Sequence, residues 1–96
     1  MGNREKLNLY DIKMIKCGVV SDLLEGRLPK ESDYISNDAL TEAEFNGIID
    51  EMINERLITD VLSAKDAGNK RLANWWDETE VTDRGRIFYT NFMNKL

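Results

Sequence analysis

The chain contains no histidine. The side chain that most often serves as general base or metal ligand near neutral pH is therefore missing. It has one cysteine, Cys17, so no intrachain disulfide can form, and a Cys-His nucleophile pair cannot be assembled. No apolar run approaches the ~20 residues of a membrane span. The opening MGNREKLNLY has no signal-peptide core, and Lys6 stands where a myristoylation motif needs Ser or Thr. These absences lead to the expectation of a cytoplasmic protein. The six glycines are scattered and form no phosphate-cradling loop, and the carboxylates lack the alternating pattern of a calcium loop. Catalytic residues, metal ligands, cofactors and small-molecule ligands are accordingly not expected.

The 96 residues, 42% hydrophobic and 32% charged, suit one domain with a single modest core, spanning residues 1–96. The net charge of −5 is unevenly spread. Residues 1–20 hold four basic and two acidic side chains, residues 21–60 three against eleven, and residues 61–96 six against five. A phosphate-backbone partner would have to avoid the acidic middle.

Leu9, Ile12, Ile15, Val19 and Leu23 recur at helical spacing, with Lys13, Lys16, Asp22 and Glu25 off the stripe. Gly26 and Pro29 end that helix. A turn or two of helix is expected near Glu31 to Ile35. TEAEF, residues 41–45, reads as a capping box opening a helix over 41–56, with Phe45, Ile48, Ile49, Met52 and Ile53 as its apolar stripe. Its other face, Glu42, Asn46, Asp50, Asn54 and Glu55, is assigned to solvent or a partner.

LITDVLSA and LANWWDETEVT, around KDAGNKR, have the form of a β-hairpin with a basic tip of Lys65, Lys70 and Arg71 against Asp66. A last helix follows, capped by Thr82 or Asp83, with Phe88, Tyr89, Phe92, Met93 and Leu96 on a broad stripe. A short strand is expected between the first two helices or just before the third. The order implies an α+β, mainly α fold of winged-helix type: a three-helix core, a β-hairpin wing and an additional C-terminal helix. TEAEFNGIIDEMINERLI (41–58), followed by VTDRGRIFY (81–89), resembles the YjcQ family of small winged-helix proteins from Gram-positive bacteria and their phages. That resemblance implies a phage or prophage origin and carries over no site residues. Arg56 departs from it, standing where such families often have glycine.

Two binding roles remain open. One is a protein-interaction or adaptor module, self-associating or not, with Trp75, Trp76, Tyr89 and Met93 as candidate contacts. The other is a DNA-binding regulator with Lys65, Lys70 and Arg71 on phosphates, helped by Arg4, Lys6, Lys13 and Lys16, and with Glu42, Asn46, Asp50 and Asn54 on the exposed face of the recognition helix. Five carboxylates against Arg56 on residues 41–56 disfavour the second. Adjacent residues of a strand face opposite ways, so the two tryptophans should part. Alternation from an inward Leu72 leaves Trp75 as the exposed one, unless the C-terminal helix folds over the hairpin and covers both.

Overall fold

The structure, a computed structural model, describes residues 9–34, 40–68 and 71–95; of Leu9, Tyr10, Glu31, Asp33 and Arg71 it describes the backbone alone. The elements are α1 (Leu9–Leu24), the single turn α2 (Glu31–Tyr34), α3 (Glu42–Asn54), β1 (Leu62–Lys65), β2 (Arg71–Trp75) and α4 (Asp83–Met93). They make a small, mainly helical α+β fold with one two-stranded antiparallel sheet. Residues 27–30, between α1 and α2, and Leu40 and Thr41, just before α3, form no strand, and residues 35–39 and Leu96 lie outside the described residues.

Local chemistry sets the helix ends. The Thr41 hydroxyl accepts from the Glu44 N–H at 3.1 Å and the Glu44 carboxylate accepts from the Thr41 N–H at 2.8 Å, which completes the expected capping box. At the end of α1, Arg27 N–H donates to the Asp22 carbonyl and Gly26 N–H to that of Leu23, with Gly26 at φ +79°. The same six-to-one and five-to-two pattern closes α3, from Leu57 N–H to the Met52 carbonyl and from Arg56 N–H to that of Ile53. Here the left-handed residue is Arg56, at φ 61°. The position that ordinarily takes glycine therefore carries a side chain and the strain that comes with it.

Phe45, Ile48, Ile49 and Met52 of α3 are buried against Val19 and Val20 of α1, with Leu40, Leu57, Ile58, Val61 and Trp76 completing the core. Full burial of each large aliphatic or aromatic side chain stabilises by roughly 1.5–3 kcal/mol. Tyr34 anchors α2, its ring stacked on Phe45 and its hydroxyl donating to Asp22. Phe88 and Tyr89 of α4 pack on the edge of the core. α1 lies between α3 and α4, and α4 packs chiefly on α1. The C-terminal helix thus packs on α1 and leaves Trp75 and Leu62 of the hairpin exposed.

The hairpin is shorter than its β-rich sequence suggests. Leu62 pairs with Trp75, Ser63 with Asn74 and Ala64 with Ala73, and a register shift then brings Lys65 opposite Arg71. Below it the chain rejoins only at the isolated bridge between Ile58 and Val81. Between these points Thr79 N–H donates to the Trp76 carbonyl and the Thr79 hydroxyl to that of Asp60, so a turn at 77–78 replaces the ladder.

The start of α4 is pressed against the end of α3. Thr82 N–H donates to the Leu57 carbonyl, while the Thr82 hydroxyl donates to the Arg56 carbonyl and accepts from Gly85 N–H. A Cβ on Gly85 would stand 2.0 Å from the Leu57 carbonyl oxygen and 2.9 Å from Val81. Backbone fills that space, so no rotamer change can relieve the clash. Gly85→Ala is expected to lower stability in urea denaturation by about 3 kcal/mol or more, while Arg56→Gly, which removes left-handed strain, should raise it by up to ~1 kcal/mol.

Candidate functional site

The site residues expected from sequence fall into three groups, which the structure treats differently. The first is α3. Glu42, Asp50 and Asn54 are exposed, but Asn46 is only 7% exposed and its side-chain carbonyl accepts from Asn74 Nδ2 of β2 at 3.1 Å. Its assignment to the open face of α3 is therefore corrected. Asn46 lies on the flank where β2 crosses the helix, and the amide pair satisfies polar atoms that close packing would otherwise strand.

Lys16 also needs correction. Assigned by spacing to the basic outer surface of α1, it is 5% exposed, and its ammonium donates to Glu51 at 3.1 Å and Glu55 at 2.9 Å. It bridges α1 to α3. Burial pulls its pKa down, but its hydrogen bonds to Glu55 and Glu51 and the charge of those carboxylates more than offset this, and the pKa lies above the usual lysine value. Lys16 is thus unavailable to a phosphate backbone, and part of the negative charge of α3 is met from within the fold.

The hairpin supplies the second group. Lys65 is exposed at its tip, next to an Asx turn in which Gly68 N–H donates to Asp66. Lys70 and the side chain of Arg71 lie outside the described residues. Of the charged side chains described at the tip, Lys65 stands beside Asp66, whereas the segments at the base, 57–61 and 76–82, carry Asp60, Asp77, Glu78 and Glu80 and no basic residue. All four of those carboxylate residues are exposed. The base of the hairpin is therefore acidic, a grouping that sequence reasoning passed over because Asp60 is distant in sequence from Asp77, Glu78 and Glu80.

The aromatic residues form the third group. Trp75 is 51% exposed and Trp76 5%. Trp76 belongs to the core and is withdrawn as a contact, because the residue after Trp75 turns to the opposite side and finds the helical body there. Tyr89 is half-buried against the core; Met93 is exposed, as is Ile87 on the same helix. Leu72, expected to face inward, is exposed instead, because it is the extra residue where the register shifts. Leu62, across the ladder from Trp75, is also exposed. Cross-strand partners share a face, so Leu62 and Trp75 form one open apolar pair.

Cys17 is buried, and desolvation pushes its thiol up to about 11. It has the properties of a packed side chain rather than a nucleophile. Among the described residues, no group of three histidine, cysteine or carboxylate side chains is placed to hold a metal ion, and no helix is long and apolar enough to cross a membrane. Comparison of the chain with family models, with curated proteins and with solved structures gives no match in any of the three.

The neighbouring Lys16 and Cys17 both contribute to the alkaline response. The folded thiol, at about 11, keeps its proton after the unfolded one, near 9.0, has lost it, so its effect on stability is complete below pH 9 and is lost as pH rises toward 11. Lys16, raised above 10.5, acts in the same direction at higher pH. Urea denaturation from pH 7 to 11.5 should show stability falling above pH 9. Cys17→Ala should flatten the slope between pH 9 and 11, and Lys16→Met the part above 10.5.

Proposed function

We propose that this is a non-enzymatic winged-helix protein of YjcQ-like, phage or prophage type that works by protein contact through its wing, as an interaction or adaptor module. One observation carries the reading: Leu62 and Trp75 are paired across the hairpin with both side chains open. Tryptophan is enriched in binding hot spots, and an apolar cluster on a small sheet costs solubility unless something covers it. The helix order and hairpin support the winged-helix part.

The alternative, DNA binding through the wing, draws on the exposed Lys65 at the tip. It is weakened by the loss of Lys16 to an internal ion pair and of Asn46 to the amide contact, and by the acidic outer face of α3. At low salt and micromolar protein, mixed-sequence duplex should show no salt-sensitive retardation; a complex that Lys65→Glu abolishes would establish the DNA reading instead. A photoreactive phenylalanine analogue at position 75, used in the native host, should form covalent protein adducts that the same group at Arg84 on α4 does not. Equal yields at the two positions would count against the wing as the contact surface.

A further inference from the structure

Gly47 stands in the interior of α3 without a spatial reason. Its backbone is not left-handed, and a Cβ built on it would meet nothing within 4 Å. Alanine would fit there and strengthen the helix. Gly26 and Gly85 differ in this respect, the first having a positive φ and the second a close backbone neighbour. What Gly47 does change is the chemistry of the residue before it. Asn46-Gly47 is the sole Asn-Gly pair in the sequence, and Asn46 is the buried asparagine whose side-chain carbonyl meets Asn74 of β2.

We propose that this pair is a deamidation site gated by the fold: a copy whose α3 opens is converted irreversibly at position 46 and returns only to a weakened structure. The reaction needs nothing but water. The Gly47 backbone nitrogen loses its proton and attacks the Asn46 side-chain carbonyl carbon. The bond from that carbon to the side-chain nitrogen breaks, ammonia leaves, and a five-membered succinimide remains. Water then adds to one of the two ring carbonyls and the ring C–N bond opens, giving aspartate or isoaspartate. Glycine favours the first step because it sets no side chain beside the attacking nitrogen and lets the chain reach the ring geometry. The helix prevents it. Within α3 the Gly47 N–H belongs to the helical ladder, and a helical ψ of about −42° at residue 46 holds the Gly47 nitrogen out of the plane that the ring requires. Burial beneath β2 and the contact with Asn74 restrain the amide as well. The products do not suit the place where they form. Aspartate puts a carboxylate at a buried position one helical turn from both Glu42 and Asp50, and Lys16, the cation that α1 brings to α3, is already held by Glu51 and Glu55. Isoaspartate lengthens the main chain by a methylene and interrupts the ladder inside the helix.

Peptide mapping of the full chain, held warm at mildly alkaline pH with and without urea, tests this. In urea Asn46 should convert faster than every other asparagine, to a mixture of aspartate and isoaspartate. In native buffer its loss should slow by the factor with which folding depletes the open state, about tenfold for each 1.4 kcal/mol of stability. Gly85→Ala should speed the native loss in proportion to its larger unfolded fraction, and wild type at intermediate urea gives the same comparison should that variant not fold. Gly47→Ala should slow the loss in urea roughly tenfold or more and melt no lower than wild type. Converted chains, separated from unconverted ones by charge, should unfold at lower urea. Native loss as fast as that in urea overturns the gating by the fold. Equal loss from Gly47→Ala in urea, or faster conversion of another asparagine, overturns the assignment to this pair. Converted chains with an unchanged urea midpoint overturn the weakened structure.

Discussion

The fold depends on one close approach of backbone to backbone. The carbonyls of Arg56 and Leu57, emerging from the end of α3, are met by Thr82 and Gly85 at the start of α4, and Gly85 has no side chain to hold them apart. This junction does three things. It pairs the carbonyls of Arg56 and Leu57 just beyond the helix end. It ties together the two ends of the hairpin segment, where Ile58 bridges Val81. It also aims α4 away from the hairpin and onto α1. The left-handed conformation of Arg56 is the strain accepted for so sharp an exit, and the surrounding hydrogen bonds hold it there.

The exposure of the hairpin's outer face follows from that junction. A C-terminal helix lying over the ladder would have covered Leu62 and Trp75; one lying on α1 leaves them open. The inner face is secured by different means, Trp76 entering the core just beyond the strand and the amide of Asn74 meeting that of Asn46. A directional polar contact of this kind fixes register, since a one-residue slip would swap every side chain between faces and strand the amides. The inner contacts thus ensure that the apolar pair faces outward.

Lys16 plays a comparable part between α1 and α3. Its ammonium is held by two carboxylates that keep about half their own exposure, so the pair avoids the full cost of a buried ion pair while still orienting two helices. It also changes what the acidic helix can offer a partner, because Glu51 and Glu55 are already engaged.

Much of this was legible in the sequence where the governing interactions are local. The capping box at Thr41, the glycine that ends α1, the core stripe of Phe45, Ile48, Ile49 and Met52, and the parting of Trp75 from Trp76 follow from spacing, backbone preference and strand alternation. What only the tertiary structure decided concerns residues whose environment comes from distant parts of the chain. Lys16 looked solvated until α3 supplied two carboxylates, Asn46 looked open until β2 crossed it, and Leu72 looked inward until the register shifted. The four carboxylates at the hairpin base likewise come together only after the fold joins residues 60 and 77–80. Periodicity says which side of its own element a residue occupies; whether that side meets solvent, an ion partner or a neighbouring backbone is set by how the elements pack.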